Sequence, residues 1–328
     1  MVLEFVIALL IGAVGLLALS KGSDWLTDSI IPIARHLGTS HTAVGLILVS
    51  ALVSLPEILV AVIAATLGHP VISIGVVIGS IICNIGLMTG VAAIRKPLRV
   101  DRSSIVRDGV FAVVFAVVVM ALAYDGMLTR FEGVALFLLF LPYIITVWED
   151  EKLKAPESRE KDFQTAMVEL NAIGMQFGKL RAGPATFVLG TGLLLLGSHL
   201  FSSSLINIAQ LSGLSDLLIG LTLGALGPTI PNIAASWSAG TRKMDGVVIG
   251  ETLGSNIFTL LVTLGVLSII SPLVIAHSWI TFDIPAMVFM SFVFLFVMVR
   301  KREITRVEGA ILLGLYAFIL GMQIVKYA

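Results

Sequence analysis

Apolar runs of about 20 residues recur along this chain from end to end, each long enough to cross a bilayer as a helix. Counting runs between charge or Gly/Pro clusters predicts ten helices. They lie near 2–20, 42–67, 70–94, 106–124, 130–148, 184–209, 216–241, 246–270, 278–299 and 306–326. The first and sixth are expected to continue through the less apolar stretches 22–37 and 197–213. Composition agrees: 57% of the 328 residues are hydrophobic against about 45–50% in a soluble domain, and 13% are charged against about 25%. Mean hydropathy is +1.04. A soluble enzyme, a nucleic-acid binder and a disulfide scaffold are excluded. The single cysteine, Cys83, lies in an apolar run and reads as a small core residue. The first apolar run lacks the charged region and cleavage site of a signal peptide, so it is expected to be retained.

The basic residues give an orientation. With the N-terminus outside and ten crossings, all of the 21 lysines and arginines except Arg130 and Lys326 fall on the inner side. Lysine and arginine near short loops resist translocation, which is the bias expected of cytoplasmic connections. The one sizeable polar connection, 149–183, falls on that side too. The expected location is the cell membrane, as a multi-pass integral protein with the bilayer as partner. No nucleic-acid partner is expected, net charge is zero, and the oligomeric state stays open.

Shifting the chain by 175 residues lays one half on the other, so that Glu57 falls on Asn232. Gly45-Leu46 then meets Gly220-Leu221, Pro56 meets Pro231, Gly79-Ser80 meets Gly254-Ser255 and Pro97-Leu98 meets Pro272-Leu273. With one residue inserted, Thr129-Arg130-x-Glu132-Gly133 meets Thr305-Arg306-x-Glu308-Gly309. Apolar residues match by chance, but glycine, proline, serine and charge in one register do not. The predicted organisation is repeat one in 1–148, the connecting loop 149–183, and repeat two in 184–328. Five helices per repeat force the second copy to enter the membrane from the opposite side, which is the inverted-repeat architecture of secondary transporters.

Two helices carry prolines at matched positions: Ser54-Leu55-Pro56-Glu57 in the second, and Pro228-Thr229-Ile230-Pro231-Asn232 in the seventh. Proline removes a helix hydrogen bond, so breaks are expected there, and paired breaks in inverted halves point to a binding site. A packing kink is the alternative. Glu57 follows the first proline deep in the hydrocarbon, where a charge is costly unless paired or hydrated, and no lysine or arginine lies at its depth. A metal ion or a proton is its expected partner; a protonated side chain bonded to a neighbouring helix is the alternative. The second buried acid is Glu251, in Gly250-Glu251-x-x-Gly254-Ser255-Asn256, opposite Val76 in the other repeat; a surface-facing position is its alternative. Ser54, Thr229, Ser80, Ser255, Asn84, Asn232 and Thr259 would add neutral oxygens, each equally plausible as an interhelical hydrogen bond. Glu132 and Glu308 close Thr-x-x-Glu capping boxes, and Asp125, Asp216 and Asp283 fall at predicted helix ends. No protease or nucleophile motif is present, so the chain is not expected to be an enzyme, and no cofactor is expected.

Carboxylate, amide, hydroxyl and carbonyl oxygens form a hard-ligand set, suited to Ca²⁺ rather than to zinc or copper. Ca²⁺ at Glu57 and Glu251 would be neutralised by the two carboxylates, and two protons would serve equally. Burial favours the protonated form of a carboxyl group and a divalent ion the ionised form, so protons and metal compete.

These residues resemble the calcium/cation antiporter superfamily of Na⁺/Ca²⁺ and H⁺/Ca²⁺ exchangers, over nearly the whole chain. Its two repeats read approximately G-T-S-x-P-E, then G-N-x-x-G-S-N-x-x-N. Here the first reads Val53-Ser54-Leu55-Pro56-Glu57, then Gly75-Val76-Val77-Ile78-Gly79-Ser80-Ile81-Ile82-Cys83-Asn84. The second reads Pro228-Thr229-Ile230-Pro231-Asn232, then Gly250-Glu251-Thr252-Leu253-Gly254-Ser255-Asn256-Ile257-Phe258-Thr259. The resemblance implies that Glu57 binds the ion with Asn84 as its partner, and that the first and sixth helices slide as a gate. Asn232 and Thr259 depart from it, each standing where a more acidic ligand is usual, and Glu251 is added where asparagine is usual. Less negative charge disfavours several Na⁺ at once. The expected function is a secondary antiporter exporting Ca²⁺ in exchange for H⁺, with Na⁺/Ca²⁺ exchange on the same fold, or a passive divalent-cation channel, as alternatives.

Overall fold

The computed structural model describes residues 2–36, 41–153, 183–241 and 245–327. The chain is all-α, and its helices follow the predicted order. α1 is Val2–His36, α2 His41–Thr66, α3 Pro70–Arg95, α4 Ile105–Asp125, α5 Arg130–Leu153 and α6 Pro184–Ser212. α7 runs from Asp216–Ile219 through Gly220–Gly224 into Ala225–Thr241, and α8 from Asp245–Phe258 through Thr259–Thr263 into Leu264–Ile270. α9 is Trp279–Lys301 and α10 Arg306–Tyr327. Nine are long and apolar enough to cross a membrane over their described residues, and α2 completes the ten with 26 helical residues. α1 and α6 take in the less apolar stretches, as expected. Of the expected connecting loop, 149–153 continue α5, while 154–182 lie outside the described residues, as do Arg242 and Lys243.

The inverted repeat is visible in paired contacts. β1 (Leu98–Arg99) pairs antiparallel with β4 (Glu303–Ile304) at one end of the bundle, Leu98 opposite Ile304. β2 (Met127–Leu128) pairs with β3 (Leu273–Val274) at the other end, Leu128 opposite Leu273. The sequence shift carries Leu98 onto Leu273 and Leu128 onto Ile304, so one ribbon is the image of the other. The same holds where backbones meet. A Cβ added at Gly309 of α10 would sit 2.9 Å from the Gly90 carbonyl oxygen of α3; one at Gly265 of α8 would sit 2.9 Å from that of Gly133 in α5. Gly90 and Gly265 are repeat mates, as are Gly133 and Gly309. Small residues permit such approach in a bilayer, where the lipid gives helices no hydrophobic reason to associate. Both capping boxes form. The Thr129 amide donates to Glu132 Oε2 at 2.7 Å and the Thr305 amide to Glu308 Oε2 at 2.8 Å, starting α5 and α10.

The prolines depart from expectation. Pro56, Pro228 and Pro231 all lie inside continuous helix, not at breaks. A proline ring collides with the carbonyl four residues earlier. For Pro228 that residue is Gly224, where a wide π segment ends, so the enlarged turn makes room for the ring. Irregularity falls instead on further π segments in repeat-related pairs, Asn84–Thr89 in α3 with Thr259–Thr263 in α8, and Ile105–Gly109 in α4 with Trp279–Asp283 in α9. Such widened turns are rare and gather at functional sites.

α3 and α8 are almost wholly buried, and with α2 and α7 they form the interior. α1, α5 and α10 turn Leu10, Phe131 and Phe318 outward. α1 and α6 pack backbone to backbone, since a Cβ at Gly197 would lie 2.8 Å from the Gly15 carbonyl oxygen. Because the Gly90–Gly309 and Gly133–Gly265 crossings are images, Gly309→Val and Gly265→Val should lower the thermal midpoint in detergent by similar amounts, each costing about 1–3 kcal/mol. Gly192→Ala, whose Cβ would meet nothing within 4 Å, should not lower it.

Candidate ion-binding site

Four interior helices deliver the predicted side chains to one place. α2 supplies Ser54 and Glu57 one turn apart, and α7 supplies their repeat mates Thr229 and Asn232. α3 supplies Ser80 and Asn84, and α8 their mates Ser255 and Thr259. All eight are buried, Glu57 at 1% exposure. Asn232 Nδ2 donates to Glu57 Oε1 at 3.5 Å, so the two mates meet directly across the interface between the halves. Ser54 Oγ donates to Ser255 Oγ at 3.2 Å, and Asn84 Nδ2 reaches Ser255 Oγ at 3.4 Å and Asn256 Oδ1 at 3.1 Å. These bonds join repeat one to repeat two at the middle of the bundle. Thr229 stands apart from them, its hydroxyl donating to the Ala225 carbonyl oxygen within α7 at 2.7 Å.

The unsatisfied atoms of this cluster are all oxygens. Glu57 Oε2, Asn84 Oδ1, Ser80 Oγ and Thr259 Oγ1 are buried without a protein hydrogen-bond partner, and Thr263 Oγ1, one turn further along α8, joins them. Leaving a buried polar group unpaired costs about 1–3 kcal/mol, more for a charge, so several around one carboxyl group call for a reason. Among the described residues, Glu57 has no lysine or arginine as a hydrogen-bond or ion-pair partner. A buried carboxylate together with buried amide and hydroxyl oxygens on neighbouring helices is a hard donor set of the kind that suits a cation. It does not resemble a zinc or copper site: among the described residues, no three His, Cys, Asp or Glu side chains gather closely enough to hold a metal.

Glu251 belongs to an adjoining level. It lies one turn of α8 closer to Asp245 than Ser255 does, and is 8% exposed, so it is buried, not on the surface. Ser236 Oγ, one turn of α7 beyond Asn232, donates to its Oε2 at 3.4 Å. The two predicted acids are therefore stacked along the bundle rather than set within one cluster.

Several residues escaped the sequence reading. Asn256 anchors Asn84. Thr89 donates to the Asn84 carbonyl oxygen at 3.1 Å across the widened turn and pairs with Thr252 at 2.8 Å; its five-residue spacing from Asn84 was the available signal. Asp283 sits fully buried, not at a surface end, accepting from Gln323 at 3.0 Å and from the Tyr327 hydroxyl. Its repeat mate Asp108 accepts from Tyr143 at 3.2 Å and from Arg107 at 2.7 Å. Each aspartate ties the start of α4 or α9 to α5 or α10, a structural duty.

Comparison with known proteins fits this geometry. The family model described as sodium/calcium exchanger protein matches residues 7–149 and 182–325. The sodium/calcium exchanger MaX1 of Methanosarcina acetivorans is 30% identical, with 94% of this chain and 95% of that protein covered. A putative antiporter, CaxA of Alkalimonas amylolytica, is 34% identical over 92% of this chain and 93% of its own length. Among solved structures, the sodium-calcium exchanger NCX_Mj superposes with a TM-score of 0.65 at 28% identity, covering 97% of this chain and 99% of that one. The chain is a multi-pass membrane protein of the sodium/calcium exchanger family, within the calcium/cation antiporter superfamily.

Proposed function

We propose that this protein is a secondary active antiporter that exports Ca²⁺ in exchange for H⁺, with Glu57 as its central ion ligand and proton acceptor. The observation that carries this reading is a buried central carboxylate touched by its own repeat mate, on a set of interior helices from both halves that also bear buried oxygens without hydrogen-bond partners at Ser80, Asn84 and Thr259. Ca²⁺ there would take Glu57 Oε2 with oxygens drawn from Ser80, Asn84 and Thr259, and Ser54, Ser255, Thr229 and Asn232 would lie close by. In the unloaded form a proton on Glu57 neutralises the buried charge. Binding Ca²⁺ releases that proton, and alternating access then delivers the two ions to opposite sides. Glu251 is the second acid, binding or relaying, so that two protons balance one Ca²⁺. By analogy with the exchanger architecture, α1 and α6 move together across the core of α2, α3, α7 and α8.

Proton coupling is favoured by the neutral residues at Asn232 and Thr259, which leave the centre one carboxylate. Na⁺ coupling is the second reading, favoured by the Ser54-x-Pro56-Glu57 motif and by the sodium/calcium exchange named for MaX1 and NCX_Mj. The distribution of lysine and arginine supports a cell-membrane orientation with the N-terminus outside and 149–183 in the cytoplasm.

Three measurements test this reading. In proteoliposomes, an acid interior should drive Ca²⁺ uptake above equilibrium while an outward Na⁺ gradient at equal pH does not. Uptake following Na⁺ alone would transfer the coupling to sodium, and flux that only dissipates the Ca²⁺ gradient would make the protein a passive pathway. Glu57→Gln should insert normally and lose transport by roughly 100-fold or more, the scale of removing one partner of a buried charge interaction; unchanged flux removes Glu57 from the mechanism. Tags on both termini should be reached only from outside intact cells.

A further inference from the structure

The two halves pair their peripheral contacts as inverted images but differ in charge along the routes that lead away from Glu57. One turn of α7 beyond Asn232 stands Ser236, and one turn of α8 before Ser255 stands Glu251, buried and hydrogen-bonded to each other at 3.4 Å. Four residues of helix rise about 6 Å, so this pair lies one step from the central cluster towards the Asp245 end of the bundle. The repeat shift maps Ser236 onto Ala61 and Glu251 onto Val76. Those mates lie one step from the centre in the opposite direction, and both are apolar and buried. Hydroxyl groups near them are already engaged with backbone: Ser73 Oγ donates to the Ala61 carbonyl oxygen at 2.6 Å and Ser202 Oγ to that of Val60 at 3.0 Å. The neighbouring crossing is tight as well, since a Cβ at Gly75 would lie 2.8 Å from Gly220 Cα.

We propose that Glu251 and Ser236 form a cation subsite on the cytoplasmic route to Glu57, with no acid at the repeat-related positions Ala61 and Val76 on the outer side. This rests on the antiporter reading and orientation given above. The subsite uses the same hard oxygen chemistry as the centre and takes the transported divalent cation one step before Glu57 binds it. Its effect is one-sided. A carboxylate next to the centre raises the local occupancy of Ca²⁺ arriving from the cytoplasm, while Ca²⁺ arriving from outside passes Ala61 and Val76 and gains nothing. The apparent Ca²⁺ affinity is therefore set by different residues at the two faces, although the central ligands are shared.

The test uses full-length protein in membrane vesicles of both orientations, with Ca²⁺ concentration varied on the face being read. Glu251→Gln should raise the half-saturating Ca²⁺ concentration at the cytoplasmic face by about 10-fold, the worth of one contact to a charged group, and leave the outer-face value within about 2-fold. Ser236→Ala should shift the same face in the same direction by less. Equal shifts at both faces would place Glu251 in the central site and overturn the subsite, and so would no shift at either. Should Glu251→Gln fail to insert, Glu251→Asp, which keeps the charge and shortens its reach, is read in its place with the same one-sided expectation. Absence of any Ca²⁺ transport by the unmodified protein would instead sink the antiporter reading.

Discussion

A carboxyl group held in low dielectric between two halves of one chain is the constraint on which the interior depends. Moving an isolated charge into such surroundings costs several kcal/mol even after relaxation, so Glu57 needs either a proton or a cation close by. Among the described residues no lysine or arginine pairs with it. The protein supplies Asn232 Nδ2 at 3.5 Å, one neutral donor for one of the two carboxylate oxygens. The other oxygen, like Ser80 Oγ, Asn84 Oδ1 and Thr259 Oγ1, has no hydrogen-bond partner among the described residues. A centre that is incomplete without a visiting ion is what exchange requires, because an ion satisfied too well would not leave.

Inverted symmetry explains how the site comes to lie at the middle of the bundle. Helices that are images of one another reach the same depth from opposite sides, so mates such as Glu57 and Asn232, or Ser80 and Ser255, converge on the pseudo-axis. The peripheral contacts are copied with the same fidelity, down to which glycine meets which and which strand pairs with which. At the centre the copying stops. Paired peripheral contacts keep the two halves alike while the side chains near the centre make them chemically unlike. An alternating-access device needs two exchangeable conformations of similar energy, a demand on the backbone and its packing; it makes no demand that the two entrances carry the same charge.

Much of this was legible in the sequence because bilayer physics leaves few choices. Ten apolar runs and the shift of 175 give helix number, order and repeat. Glu57 stood out because it interrupts an apolar run, and Asn232 because the shift laid it on Glu57. What stayed hidden depended on partners distant in sequence. Asp108 follows Arg107 in a stretch that reads as a basic helix end, and only the fold shows that Tyr143 closes over it. The prolines misled in the same way. The sequence reports a lost hydrogen bond, but whether the helix opens there depends on how neighbouring turns adjust, and Gly220–Gly224 absorbs the strain by widening. No local rule announced the π segments at Asn84 and Thr259.

The neutral residues at two of the central positions bear on what such a centre can carry. Cations held together repel one another, and in a protein interior that repulsion is several times stronger than in water. Each added monovalent ion therefore needs roughly one fixed negative charge nearby to remain. With Glu57 as the one acid among the eight central side chains, a second cation there has no opposing charge. A single proton has no such difficulty, since it ends on the carboxylate itself and leaves a neutral group. The remaining requirement is charge balance for a divalent ion. Two carboxylates in contact would not meet it, since their mutual repulsion would hold one of them protonated, and Glu251 stands one turn of α8 away from the central level.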